Sequence, residues 1–274
     1  RDLGYTDERY GRIVDEFCFL DEIYYAQSGH PGGSLSVTDI LAYLYNEEMN
    51  VSADKADDPD RDRLVLSKGH ACPALYAALA LKGYIPEKDL KTFRSIDSYL
   101  EGHPDMKKIK GVDMSSGSLG QGISAACGMA LIGKKEKRPY RVFAILGDGE
   151  LEEGQVWEAA MFAGAKNLDN VIVFVDQNNY QVGGDVHSVL NYGDPAEIFH
   201  SFGFEVINNV NGHDIDAIRE AVVQAKAIRR PVCIVCNTIK GKGFVPAENE
   251  RRVHNMPLTH EDYLASCAYI DQTC

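Results

Sequence analysis

The segment Arg141-Val142-Phe143-Ala144-Ile145-Leu146-Gly147-Asp148-Gly149-Glu150 runs from a stretch suited to a buried strand straight into a Gly-Asp-Gly turn. Downstream, Glu153 to Ala165 carries helical spacing, and Val171-Ile172-Val173-Phe174-Val175-Asp176 is a second apolar run, ending in Gln177-Asn178-Asn179. Strand, helix, strand, with strands apolar throughout rather than alternating, predicts a parallel sheet covered on both faces. Ligands of such sheets bind beyond the carboxyl ends of the strands. Gly147, Asp148, Gly149 and Asn178 are therefore the first candidates for a site.

Working outward, Arg63 to Ser67 reads as a buried strand, and Lys68-Gly69-His70 turns from it into a helix through Ala74 to Ala78. On the other side come an apolar run at Phe204 to Ile207, a helix from Asp214 to Ile228 with Asp214 as N-cap, and a strand from Val232 to Asn237. Toward the beginning, helical spacing covers Tyr10 to Tyr25 and Val37 to Tyr45, with the breaker run Ser28-Gly29-His30-Pro31-Gly32-Gly33 between them as a tight loop. No repeat or linker interrupts the pattern. The expectation is one doubly wound α/β domain over residues 1–274, a mostly parallel sheet with helices on both faces and a C-terminal tail from about residue 244.

A formal net charge of −13 disfavours nucleic acid and anionic membrane as partners, so any anionic ligand needs locally placed donors. Seven cysteines, an odd number without paired spacing, do not form a disulfide framework. With no signal peptide visible at the N-terminus and no apolar run of ~18 residues, the expected setting is the cytoplasm, with no membrane contact. Cys233 and Cys236 lie in one apolar strand, where a period of two turns them to opposite faces as small buried hydrophobes.

A carboxylate between two glycines leaves a hard oxygen donor where the main chain can come close to a ligand, which suits magnesium or calcium. The Asn178 carbonyl, at the next strand end, offers a second oxygen, and Gly149 lets diphosphate oxygens approach the backbone. A bare Gly-Asp-Gly is commonly a surface turn. Placed after a strand and followed by a helix, a second strand and Asn178, it has the form of a thiamine-diphosphate fingerprint. His30 and His103 each stand between Gly and Pro, and His70 follows Gly at a strand end. Such rigid loops allow an imidazole to reach a ligand oxygen.

The chain resembles the N-terminal portion of transketolases over nearly its whole length, and most closely their short N-terminal subunit form. The matching stretches are Ser28 to Ser34, Leu66 to Ala71, Glu101 to Asp105, Gly117 to Gly122, Gly147 to Trp157 and Lys240 to Gly243. The resemblance implies a two-carbon ketol transfer from a ketose, or ketose phosphate, to an aldose or its phosphate, using thiamine diphosphate. It assigns a magnesium or calcium ion to Asp148 and Asn178 through side-chain oxygens and to Tyr180 through its main-chain carbonyl. His70 would contact the cofactor diphosphate, and His254 both a cofactor phosphate and substrate. His30 and His103 would line the channel above the reactive carbon. Gly117 and Leu119 would pack under the bent cofactor, with Gly147 and Gly149 beside its phosphates. Glu153 would help organise the cofactor site and its communication across the dimer, although a first-turn carboxylate favoured by the helix dipole is the simpler reading of that residue. Around His254 the chain has Val253-His254-Asn255, where the family shows an aromatic residue, His and Gly.

The family's activating glutamate and its arginine-rich sugar-phosphate pocket belong to pyrimidine-binding and C-terminal domains. The expectation is that a C-terminal transketolase subunit supplies both, in an α2β2 assembly. Alternatives within the same chemistry are an unusual ketose, either a sulfosugar or a branched sugar, and a deoxyxylulose-phosphate-synthase-like enzyme. A non-catalytic cofactor-binding subunit would instead be expected to lack at least one of Asp148, Asn178, His30, His70 and His103, and all are present.

Overall fold

Seven strands organise the described residues: β1 (Arg63–Leu66), β2 (Val142–Gly147), β3 (Val171–Gln177), β4 (Tyr180–Gln181), β5 (Gly184–Asp185), β6 (Glu205–Asn211) and β7 (Val232–Asn237). They come from a computed structural model that describes residues 19–273. Five of them form one sheet in the order β1-β2-β3-β7-β6, every pair parallel, while β4 and β5 make a small antiparallel hairpin. The helices are α1 (Phe19–Ala26), α2 (Pro31–Leu35), α3 (Thr38–Tyr43), α4 (Cys72–Leu81), α5 (Gln121–Glu136), α6 (Gly154–Ala165), α7 (Val186–Val189), α8 (Pro195–Ser201), α9 (Ile215–Ala227) and α10 (His260–Thr273).

The expected doubly wound α/β fold is what forms. Phe143, Ile145, Ile172, Phe174, Ile234 and Cys236 pack on one face of the sheet with α1, α3, α4 and α9. Val142, Ala144, Val171, Val173, Cys233 and Val235 pack on the other, against α5, α6 and Phe199 of α8. Cys233 and Cys236 thus sit on opposite faces, both buried. Each such aliphatic side chain contributes about 1.5–3 kcal/mol when removed from water, so a strand buried on both faces needs the continuous apolar run seen in the sequence.

Several boundaries differ. The helix expected over Tyr10 to Tyr25 is described only from Phe19; its part before that lies outside the described residues. Ser28 to Gly33 is not wholly loop, because α2 begins within it: Pro31 sits at the first helical position, where its missing N–H costs nothing. Gly32 and Gly33 are needed there for contact, since a Cβ on Gly32 would meet the Val253 carbonyl at 2.8 Å and one on Gly33 the His70 ring at 3.1 Å. The long helix α5 was not anticipated. Its small-residue surface gives little amphipathic signal, yet it presses Gly122 against Ser67 and Gly133 against Tyr140. Asp214 caps α9 as expected, accepting from the Asp216 and Ala217 N–H groups.

The segment after Gly243 is no loose tail. Phe244, Ala247, Val253 and Leu258 are buried, the Met256 N–H bonds the Gly29 carbonyl at 3.3 Å, and Tyr263 of α10 stacks on Tyr24 of α1. It folds back over the strand ends, carrying His254 with it. Among the described residues no helix is long and apolar enough to cross a membrane.

Candidate active site

The sheet register sets Gly147 beside Asp176 and Gln177 beside Asn237, so the chain leaves β2, β3 and β7 at one level, next to the end of β1. A cavity of about 250 Å³ opens there. Of the residues singled out in the sequence, His30, His70, His103, Gly117, Leu119, Gly147, Asp148, Gly149, Asn178, Tyr180 and His254 all line it. Glu153 does not. It is exposed at the N-cap of α6, with its Cβ directed at Gly120, because the turn after Asp148 carries it past the cavity edge.

Asp148 is fixed by the backbone. Its Oδ1 accepts the Gly149 N–H at 2.8 Å, and Oδ2 accepts that of Asn179, whose left-handed conformation (φ +67) aims the N–H at it. Asn178 donates Nδ2 to Asp176 at 2.7 Å while its Oδ1 accepts the Tyr180 N–H at 3.2 Å. The Tyr180 carbonyl accepts from the Lys240 ammonium, so this oxygen already holds a cation. A carboxylate, an amide and a main-chain carbonyl are oxygens of the kind that a hard divalent ion takes. Among the described residues no group of three or more His, Cys, Asp or Glu side chains is arranged to hold a metal by itself.

Four residues that matter here were not picked out from the sequence. Asp176 is fully buried and accepts from Lys68 Nζ, Ser36 Oγ at 2.6 Å, Asn178 Nδ2 and Thr238 Oγ1, tying together four separate segments. Glu150, also buried, accepts from Ser67 Oγ and from the Gly120 and Gly147 N–H groups at 2.8 and 3.1 Å. Lys68 and Lys240 are buried ammonium groups beside the cavity. Both lysines fall inside recognisable motifs, but only the fold shows that they interlock with the carboxylates.

Burial pushes the Asp176 carboxyl up, but the Lys68 ammonium and the hydroxyls around it outweigh this and hold it below the usual range. Burial and the nearby Asp176 charge push Asp148 up to about 7, against the pull of two backbone N–H groups and Lys240. Burial lowers Lys240 to about 8.

The histidines form a continuous wall: His30 lies 5.1 Å from His70, 6.3 Å from His103 and 5.5 Å from His254, ring centre to ring centre. Burial, then the Arg94 charge, lowers His30 to about 4; burial, then Lys240, lowers His254 to about 3. Burial and Lys68 hold His70 well below its ordinary value, and burial and Arg94 lower His103. At neutral pH these rings are uncharged, each with one N–H to donate and one bare nitrogen to accept. The Nδ1 atoms of His30 and His254 are buried without a hydrogen-bond partner, a cost that a bound ligand would remove.

Residues 12–268 match the model of the family described as "Transketolase, thiamine diphosphate binding domain". A 6-deoxy-6-sulfo-D-fructose transketolase subunit, SqwG, from Clostridium sp. (strain MSTE9) is 46% identical over 254 residues, covering 92% of both chains. One subunit of an apulose-4-phosphate transketolase from Phocaeicola vulgatus is 35% identical, over 89% of this chain and 86% of that one. The crystal structure of a Campylobacter jejuni transketolase superposes with a TM-score of 0.90 at 34% identity; 96% of this chain is covered, but only 42% of that larger protein.

Proposed function

The chain belongs to the transketolase family, and on that premise we propose that it is the diphosphate-binding subunit of a two-chain enzyme moving a two-carbon ketol unit from a ketose to an aldose. The observation that carries this reading is the convergence of four neutral histidines, Asp148, Asn178 and Lys240 on one cavity at the strand ends. When bound, thiamine diphosphate supplies the thiazolium carbon on which the two-carbon unit is carried.

The residues present fit that cofactor. His30 and His254, each with a buried Nδ1 that has no partner, line a cavity that also offers Lys240, whose ammonium rests on the Tyr180 carbonyl. Asp148, Asn178 and the Tyr180 carbonyl hold a magnesium or calcium ion, with Lys240, His70 and His254 on the phosphates. Gly147 and Gly149 let the main chain approach them, and Gly117 and Leu119 pack against the rings. His30 and His103 orient the sugar hydroxyls; being neutral, they can accept a hydroxyl proton and return it. Glu153 acts outside the cavity, at the exposed start of α6, where it can meet a neighbouring chain.

The need for a partner rests on the relatives of matching length, which are themselves named as subunits. A C-terminal subunit with pyrimidine-binding and C-terminal domains would complete the site in an α2β2 assembly, residues 1–274 being one domain, in the cytoplasm. A second reading, in which the donor is a sulfonated or branched ketose, is favoured by the substrates named for those same two relatives. His103→Ala in the reconstituted complex separates a catalytic from a merely cofactor-holding chain: kcat should fall by at least tenfold with cofactor affinity nearly unchanged, whereas full activity would defeat the catalytic assignment.

A further inference from the structure

Of the two ammonium groups at the inner cavity, Lys68 is paired with Asp176, and Lys240, which rests on the Tyr180 carbonyl, is the one assigned above to the cofactor phosphates. If the diphosphate takes what remains, a charged sugar must find donors for its far end elsewhere. Past His30 and His254 the inner cavity meets a larger one of about 730 Å³, whose wall it shares through those histidines, Tyr180 and Val182. In a chain of net charge −13 this outer space is rich in donors: Arg251, Arg252, Asn249 and Asn255 line it, with Glu250 the one lining carboxylate among the described residues.

That carboxylate is engaged locally, because Glu250 Oε2 accepts from Arg252 Nε at 2.5 Å, while Arg252 also donates to the Pro246 carbonyl. Arg251 is arranged differently. Its Nε donates to the Val182 carbonyl at 2.8 Å, which tethers the guanidinium to the cavity wall. Among the described residues its terminal Nη groups take no partner. A guanidinium held by Nε with its outer edge open is pre-shaped for two oxygens of a tetrahedral anion, at less entropic cost than a free side chain.

We propose that the outer cavity is an anion subsite in which Arg251, flanked by Arg252, receives the charged end of the ketose, a phosphate monoester or a sulfonate. This rests on the ketose-transfer reading. It adds that the present chain, and not only its partner, selects for charge. The short Arg251–His254 turn couples the subsite to the reaction wall, since His254 closes it and lines the inner cavity.

The test uses the complex reconstituted with its C-terminal subunit, thiamine diphosphate and magnesium. Wild type and Arg251→Ala are compared with fructose 6-phosphate, with 6-deoxy-6-sulfofructose and with the uncharged ketose erythrulose. The expected result is a KM raised tenfold or more for whichever anionic donor is used, with kcat kept and the KM for erythrulose within twofold. The two anionic arms tell phosphate from sulfonate, and Arg251→Lys should restore part of the loss. Equal effects on charged and neutral donors, or none, would overturn the subsite. Titration of the full chain with inorganic phosphate gives a readout independent of turnover: Arg251→Ala should weaken binding at least tenfold, and unchanged affinity would overturn the proposal. Failure of the wild-type complex to turn over any ketose would instead count against the ketose-transfer reading.

Discussion

Replacing Asp148 with Ala separates what this residue does for the fold from what it does for the cofactor. The substitution strands two N–H groups, those of Gly149 and Asn179, at about 1–3 kcal/mol each if no water replaces the carboxylate. Against this, a carboxyl displaced up to about 7 has its charged form disfavoured in the cofactor-free fold by roughly 4 kcal/mol. The two effects offset to within about 2 kcal/mol, so the midpoint of thermal unfolding should move by no more than ~8 °C, given about 2–4 °C per kcal/mol for a chain of this size class. Cofactor binding should behave otherwise, because the only carboxylate in the proposed metal set is gone. Calorimetric titration with thiamine diphosphate should show affinity in magnesium reduced at least 100-fold, about 2.7 kcal/mol. The thermal stabilisation that bound cofactor gives the wild type should vanish with it. Tight, magnesium-dependent binding by the variant would refute the reasoning, since it would place the metal elsewhere.

Further predictions concern acid stability and packing. His30 and His254 are held at about 4 and about 3 in the fold, so below about 6.5 the unfolded chain binds more protons than the folded one. Their contribution is complete above that pH and is lost as pH falls toward 4. Up to about 1.4 kcal/mol per pH unit per histidine is expected, about half that after allowing for their partial exposure. Urea midpoints measured from pH 7.5 to 5 should show this slope in the cofactor-free protein, shallower in His254→Gln; a flat profile would contradict it. Gly122→Ala places a methyl 2.5–2.7 Å from Ser67, overpacking α5 against the end of β1 by about 1–3 kcal/mol. Gly128→Ala in the same helix meets nothing within 4 Å and should stabilise by about 0.5–1 kcal/mol. Chemical denaturation that ranks the two alike would show that close contact is not what keeps Gly122.

What could be read in the sequence follows from the physics of each element. Strands β2, β3 and β7 were legible because a parallel sheet buried on both faces demands unbroken apolar runs, and Asp148 and Asn178 because polar residues directly after such runs fall at the ligand-binding edge. His30, His70 and His103 stood out through their Gly or Pro neighbours, and His254 through the family resemblance alone. Helix α5 was hidden, since Gly122 and Gly133 lower helix propensity while serving close packing that only the tertiary structure creates. Asp176 looked like the end of an apolar strand; that it gathers donors from residues 36, 68, 178 and 238 depends on contacts across the whole chain. Glu153, flagged by resemblance for organising the cofactor site and its communication across the dimer, lies exposed at the start of α6 and not on the cavity wall.

In the proposed division of labour, this chain grips the cofactor and a second chain makes it reactive. Its most direct test is two-carbon transfer measured with thiamine diphosphate and magnesium, first on this protein alone and then after adding a C-terminal transketolase subunit. Cofactor binding without turnover is expected in the first case and ketol transfer in the second. Robust turnover by this chain alone would contradict it.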